Sequence, residues 1–541
     1  MEVHAELKTK SKMFCDCENG FGLEKEPNVH VCPVCTGQPG SLPVINEEAV
    51  KMVIKTGLAL NCQIAEDSFF ERKNYFYPDL PKGYQISQYQ KPLCYKGFLE
   101  IFSNRHAELV SASQSETLKQ VQGDNIRRVG ITRIHLEEDT GKLTHPKGEK
   151  HSLVDFNRAG VPLMELVTEP DICSGNEAKK FCQELQLILR YLGVSDADME
   201  KGQMRCEVNI SLREIAEPRG TDTEQRGKLG TKVEIKNLNS FRVVERAIDY
   251  EIKRQGGLLG SGKQVIQETR GWDDNKGETY SQRTKEEAHD YRYFPEPDLP
   301  PLRELLTISR QLRTELPELP AQKRARFAEE FGLPEGDIET FVSNLEMSEY
   351  FEQVCSELGE TEYLSFRHSE SAQGGRRIST GGMRSFAGAQ DDKEDKELKK
   401  LYKLAANYLI TEIPRIADRL QIINYKLQDK ITAENFAEFI IMTYKNIISS
   451  SGAQKVLEEM FKTGADPSHI IEKHDLGQVS DESELEKIAE EVIKENPQPV
   501  ADYKAGKEAS LQFLIGQIMK KSKGKANPQV TGEILRKKLA G

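Results

Sequence analysis

Between Ile131 and Asp171 the chain alternates apolar and polar residues with a period of two, first in ITRIHLEE and, after a polar loop, in PLMELVT. That period marks half-buried strands. Thr132, Ile134, Leu136 and Glu138 share one face of the first strand, and Leu163, Glu165 and Val167 one face of the second. In each, the alternation assigns a carboxylate, Glu138 or Glu165, to an apolar face. A buried carboxylate needs a cation, a metal or a proton, so the two strands are expected to present oxygen ligands to a divalent ion. Pairing with Arg133 and Arg158, or capping of strand ends, is the plainer reading of either glutamate alone.

The same period recurs elsewhere. In MEVHAEL, Val3, Ala5 and Leu7 form an apolar face and Glu2, His4 and Glu6 the opposite one. A histidine flanked by carboxylates can join them around a hard divalent cation, or the row can simply face solvent. The strand is already under way at Met1, which reads as a truncated or misassigned start. QMRCEVNISLR (203–213) and GTKVEIKNLNSF (230–241) add polar rows, with Arg205, Glu207 and Asn209 on the first and Glu234, Lys236 and Asn237 on the second. Helical spacing begins after Asn46, a plausible N-cap, and dominates after the Pro-rich stop FPEPDLPP; Ser483 and Glu486 have capping-box spacing. Ser-, Gln- and Gly-rich segments at 104–124 and 367–392 interrupt the pattern and are expected to be surface insertions without chemistry.

Composition narrows the picture. The chain has 541 residues, 30% of them charged, and a net charge of −12. No apolar run approaches the ~18 residues a membrane span needs, and no secretory signal opens the chain, so a soluble cytoplasmic protein is expected. Nucleic acid would have to be met by local basic patches. Two are visible. FERKNYFYPDLPKGYQISQYQ combines Arg72, Lys73 and Lys82 with tyrosines, and KKSKGKANPQ carries Lys520, Lys521, Lys523 and Lys525. Of ten cysteines, four cluster as two close pairs, Cys15 and Cys17, then Cys32 and Cys35. That spacing fits a tetrahedral thiolate zinc site; His30 is a possible substitute ligand.

As a set, EVHAEL, the cysteine pairs with PVCTGQPGSLPV, RKNYFYPDLPKGYQISQY, ITRIHLEEDTGK, SLVDFNRAGVPLMELVTEPDI, MRCEVNISLR, VEIKNLNSFR, HDYRYFPEPDLPPL and GKANPQ resemble the B subunit of the glutamyl/aspartyl-tRNA amidotransferase. The resemblance spans nearly the whole chain outside the two insertions. It implies an α+β protein. An antiparallel-sheet cradle domain similar to glutamine synthetase would occupy 1–300, with the zinc site and the 104–124 insertion. A helical domain would follow over 301–428, with the 367–392 insertion, and a helical tRNA-binding tail over 429–541. It implies phosphorylation of the side-chain carboxylate of Glu-tRNA(Gln) or Asp-tRNA(Asn) with ATP and Mg²⁺, then amidation by ammonia. An A subunit would release that ammonia from glutamine, and a C subunit would complete a heterotrimer. A P-loop is absent, as in that family.

On this resemblance Glu2, His4, Glu138 and Glu165 are the expected Mg²⁺ ligands, with Glu137 beside them in a supporting catalytic role. Lys73 and Tyr75 would hold the tRNA 3′ end or the transferred phosphoryl group. Arg72, Lys82, Lys521, Lys523 and Lys525 would contact tRNA, and Cys15, Cys17, Cys32 and Cys35 would hold a structural zinc. The competing reading is a zinc-bearing RNA-binding factor without catalysis. Clustered carboxylates oppose it, because they repel phosphate unless a metal intervenes.

Overall fold

The computed structural model describes residues 1–20, 26–102, 126–146, 148–213, 229–284, 291–372, 387–477, 482–522, 526 and 528–540, leaving out the side chains of 283–284, 361–372, 387–394, 482–484, 528–529 and 540. The 104–124 segment lies outside the described residues, as does 373–386 within 367–392; the flanks of the latter continue the helices Leu345–Ala372 and Ala387–Asn407. The chain divides into two compact units, Met1–Pro320 and Ala321–Gly541.

The first unit holds strands β1 Glu2–Glu6, β2 Gln63–Ile64, β3 Glu71–Asn74, β4 Tyr84–Ser87, β5 Cys94–Phe102, β6 Ile126–Glu138, β7 Lys142–Thr144, β8 Leu153–Asp155, β9 Pro162–Thr168, β10 Met204–Ile210, β11 Val233–Leu238, β12 Glu268–Asp273, β13 Glu278–Thr284 and β14 Arg292–Pro295. Nine of them form a sheet in the order β13-β12-β11-β10-β1-β9-β6-β5-β2. Neighbours are antiparallel except β11 and β12, which run parallel. The expected antiparallel sheet is therefore antiparallel-rich rather than purely so. A smaller sheet, β14-β3-β4, and a β7–β8 hairpin complete the unit.

The alternation seen in the sequence sets which side of the large sheet is dry. Val3, Ala5, Ile134, Leu136, Met164, Leu166, Met204, Cys206 and Val208 are all buried in one apolar core. Helices α1 Glu47–Ala59, α2 Gly175–Tyr191 and α3 Phe241–Gly260 contribute the other half of that core. Each begins at a polar cap: Asn46 accepts from the Ala49 amide at 3.2 Å, Ser174 from Glu177 at 3.1 Å and Ser240 from Val243 at 3.2 Å. These caps satisfy amides that the first helical turn leaves without partners. Phe181, Leu185 and Leu189 of α2 are fully buried, and each such side chain contributes about 1.5–3 kcal/mol. With one face covered by helices, the polar residues of the same strands project from the other.

The first unit extends past the Pro-rich stop, which corrects the expected boundary at 300. Ser68 and Leu302 exchange backbone hydrogen bonds at 3.0 and 2.8 Å. Helix α4 Leu305–Thr314 follows, and its Leu305 and Leu312 are buried in the same core as the sheet. Proline ends a strand there without ending the domain. The second unit is helical. Phe327, Phe331, Phe341 and Phe351 pack together, with Phe341 and Phe351 stacked at 4.4 Å. Near the C-terminus Leu485, Leu511, Leu514, Ile518 and Leu535 form an apolar cluster of their own. Among the described residues no helix is long and apolar enough to cross a membrane.

Candidate active site

On the polar face of the large sheet, the neighbouring strands β11, β10, β1, β9 and β6 line up their alternate residues. Glu234 and Lys236, then Arg205 and Glu207, Glu2 and His4, Glu165, and finally Glu137 line one open cleft, which Lys73 and Tyr291 also border. Register makes the meeting unavoidable. Glu165 on β9 lies opposite His4 on β1 and opposite His135 on β6.

The Glu165 carboxylate sits between the two rings, 3.3 Å from His4 Nε2 and 3.4 Å from His135 Nε2. Glu137 lies 3.9 Å from His4 and 3.7 Å from His135, and it accepts a hydrogen bond from Ser87 Oγ at 2.9 Å. Burial opposes charge on all four groups, and their mutual attraction overrides it. The His135 pKa is dragged down by burial and pulled up further by Glu165, ending at about 9. His4 is raised on the same balance of burial against Glu165. Glu165 and Glu137 are lowered in turn: burial raises both, and the adjacent His135 outweighs it. Without a bound ion the two carboxylates favour the protonated form of both imidazoles, His135 most strongly.

His4, Glu137 and Glu165 can each turn a ligand atom to within 4.8 Å of the others; so can Glu2, Glu207 and Glu234. A mixed imidazole and carboxylate set suits a hard or borderline divalent cation, so the residues present fit the expected Mg²⁺. Asn209 donates to Glu2 at 3.0 Å, and Lys236 bridges Glu207 at 2.8 Å and Glu234 at 3.5 Å. Lys73 lines the same cleft with its ammonium 4.7 Å from the Tyr291 ring centre. Burial lowers its pKa, but Glu137, then Tyr293 and Glu165, raise it further, so it is held as a cation. Tyr75 meets Tyr291 edge to face at 5.4 Å.

Glu138 is not in this group. It belongs to the Ile134–Leu136 side of β6, where it accepts from the Ile86 amide at 2.9 Å and pairs with the Lys82 ammonium. The carboxylate that reaches the cleft is its neighbour Glu137, so the ligand expected at 138 is corrected by one position. The cause is the two-residue period, which sends adjacent side chains to opposite faces. Glu165 reaches the cleft for the converse reason: Met164 and Leu166 of β9 belong to the core, while Leu163, also buried, lines the cleft beside Glu165. His135 is a site residue that the alternation does not single out, although H-x-E at 135–137 repeats the spacing of E-x-H at 2–4.

The expected tRNA contacts fare differently. Arg72 makes a forked pair with Glu296 at 2.7 and 2.8 Å and reaches Asp298 at 3.0 Å. Lys82 is engaged by Glu138 and nearly buried. Both hold the fold together, and neither is a free phosphate donor. Lys521 is ion-paired with Glu491 at 3.0 Å and Glu495 at 2.7 Å. Lys523 and Lys525 lie outside the described residues.

Apart from the cleft, Cys15, Cys17, Cys32 and Cys35 come together with their sulfurs within 4.8 Å of one another. The Cys32 amide donates to Cys35 Sγ at 3.1 Å. A hydrogen bond from Cys15 holds the Cys35 thiol far below its usual range. Four converging thiols, one already disposed to ionise, could hold a metal ion and match the donor set that a tetrahedral zinc site uses. His30 is not in the group.

Comparison with known proteins places the chain in a family. The model of a family described as the GatB/GatE catalytic domain matches residues 1–308, and one described as the GatB domain matches 393–539. The chain is 45% identical over 544 residues to the B subunit of the aspartyl/glutamyl-tRNA(Asn/Gln) amidotransferase of Caldicellulosiruptor saccharolyticus, covering 100% of this chain and 98% of that one. It is 46% identical over 541 residues to the protein of that name from Caldanaerobacter subterraneus subsp. tengcongensis, and 44% over 541 residues to that from Persephonella marina, with the same coverage.

Proposed function

The chain belongs to the GatB/GatE family, and on that premise we propose that the cleft around Glu165 is where the aminoacyl carboxylate is activated. The protein is the B-subunit type of tRNA-dependent amidotransferase, which converts Glu-tRNA(Gln) and Asp-tRNA(Asn) to Gln-tRNA(Gln) and Asn-tRNA(Asn). It acts as a ligase that takes its amide nitrogen from glutamine. The observation that carries the site assignment is the placing of His4, Glu137 and Glu165 on three adjacent strands with ligand atoms converging.

ATP and Mg²⁺ are the inferred co-reactants. A divalent ion held by His4, Glu137 and Glu165 would neutralise phosphate charge and polarise the transferring group. The chain's own groups do the rest. Lys73, fixed as a cation, supplies positive charge where phosphoryl oxygens collect. His135 stands behind Glu165 and holds its carboxylate in place. Glu2, Glu207 and Glu234 offer a second set of oxygens beyond His4, and Lys236 restrains two of them.

We further infer a cradle similar to that of glutamine synthetase, supported by the antiparallel-rich sheet with helices on one face and acidic residues on the other. Zinc at the four cysteines, assembly with a glutaminase A subunit and a C subunit, a cytoplasmic location and tRNA contact by the tail over 429–541 belong to the same reading. The helical clusters and the lysine-rich sequence at 520–525 support the last of these. The test is Glu165→Gln in the assembled complex. Glu-tRNA-dependent ATP hydrolysis should fall by about 10²–10⁴-fold while glutaminase activity persists. A near-parental rate with an unchanged Mg²⁺ requirement would refute the assignment.

A further inference from the structure

Lys12 is 1% exposed, and among the described residues its ammonium has no carboxylate partner within 4 Å. It donates instead to His30 O and Ala159 O, both at 2.7 Å, and to Phe156 O at 3.4 Å, with Cys35 Sγ at 3.9 Å. An ammonium has three protons, and here all are directed at carbonyls from two segments: one from the cysteine knuckle, two from the 156–159 turn. A buried charge of this kind is costly unless opposite charge lies close. The knuckle could supply it: four thiolates around one divalent ion would carry a net double negative charge, and Lys12 Nζ lies 3.9 Å from Cys35 Sγ.

The contacts continue into the cleft. The Lys12 amide donates to Cys17 O at 2.9 Å and the Met13 amide to Gly160 O at 2.7 Å. Gly160 has φ +87°, and a Cβ there would meet Cys35 Cβ at 3.3 Å, so the turn needs glycine both for its left-handed backbone and for the approach of the knuckle. The Gly160 amide donates to Asp139 O at 2.9 Å. The same turn carries Arg158, which donates to Thr140 O at 3.0 Å and Gly141 O at 2.9 Å and lies 3.6 Å from Asp139. Asp139 in turn receives Arg205 at 2.7 Å, and Arg205 lines the cleft.

We propose that Lys12 is a positioning residue: it is the counter-charge of the loaded cysteine knuckle and pins it to the 156–160 turn, so that ion binding at the knuckle holds Asp139 and Arg205 in the cleft wall. The inference rests on zinc occupying the knuckle. It assigns the knuckle a task beyond local folding.

The experiment uses the full complex. Lys12→Met keeps length and apolar bulk while removing the charge. Zinc release to a chromophoric chelator should then be about 10–100-fold faster than in the parent, because altering groups around a metal's ligands typically costs that factor in affinity. In parent protein stripped of zinc, amide exchange should accelerate at Met13, Asp139 and Gly160 while the amides of β1 and β9 stay protected. That second measurement decides the matter if the variant does not fold. Parental release kinetics in Lys12→Met, or unchanged exchange at the three amides after zinc removal, would overturn the proposal. A parent complex that carries no zinc at all would overturn the knuckle reading itself, a result distinguishable from either.

Discussion

His135 and Glu165 face each other across β6 and β9, Nε2 to Oε2 at 3.4 Å, both on the polar side of a sheet whose opposite side is core. A backbone register, not a loop, fixes that pair. A slip of either strand by one residue would send its own member of the pair to the core face and leave the other without a partner.

The clearest consequence is a contrast between adjacent residues. Glu137→Gln should lower Glu-tRNA-dependent ATP turnover by about 10²–10⁴-fold and raise the Mg²⁺ concentration needed. Glu138→Gln should leave the Mg²⁺ requirement unchanged and destabilise the fold by about 3–5 kcal/mol, since it strands the nearly buried Lys82 ammonium. Chemical denaturation and Mg²⁺ titrations of both variants separate the two effects; a reversed pattern would return the ligand to position 138.

Stability of the ion-free protein should depend on pH through His135. Its folded pKa, about 9, stands above the ordinary ~6.5 of an unfolded histidine. The stabilisation is therefore full below about pH 6.5 and is lost as pH rises through about 9, a change of roughly 3 kcal/mol at most. Melting temperatures in EDTA should fall over that window, and His135→Gln should flatten the fall.

Glu6 tests a neighbouring pair. Burial and the Asp139 carboxylate push its pKa up to about 8, so near neutrality it is a protonated acid, whereas Asp139, despite burial, is kept low by Arg205 and Arg158. Glu6→Gln should be close to neutral in stability. Asp139→Asn should cost several times more, about 3 kcal/mol or above, by leaving two arginines without their counter-charge. Equal losses in urea unfolding would show that the proton is not on Glu6.

Arg72 should act on the fold rather than on tRNA. Its partner Glu296 has a fully buried side chain, so Arg72→Met strands a charge and should lower stability by about 3–5 kcal/mol. The salt dependence of tRNA binding should stay as in the parent, because no phosphate contact is lost. A shallower salt slope would restore Arg72 to the RNA interface.

Much of this is readable in the chain. The period-two pattern of MEVHAEL marks the buried Val3–Ala5–Leu7 row, and Asn46 caps its helix as its position suggests. The cysteine pairs meet as their spacing requires. What the pattern cannot choose is a face. Glu138 and Glu165 both interrupt apolar alternation, yet one lies on the core side with Lys82 and the other in the cleft, and only pairing with β1 and β4 decides which. Arg72 and Lys82 look like RNA contacts because their partners, Glu296 and Glu138, are remote in sequence. The domain boundary shifts to 320 because Leu305 and Leu312 are buried in the first core, which a proline count cannot foresee.

The position of β1 has a consequence for synthesis. It is made first but lies between β9 and β10, which begin at Pro162 and Met204. As the chain leaves the ribosome, the strand bearing Glu2 and His4 has no partner until β9 has followed, and its second edge stays open until β10 has. Non-local pairing of this kind slows folding and leaves strand edges exposed meanwhile. The cleft face around β1 thus cannot be completed before β10 is made, and a nascent chain stalled before Met204 should present an unpaired β1 edge open to chaperones.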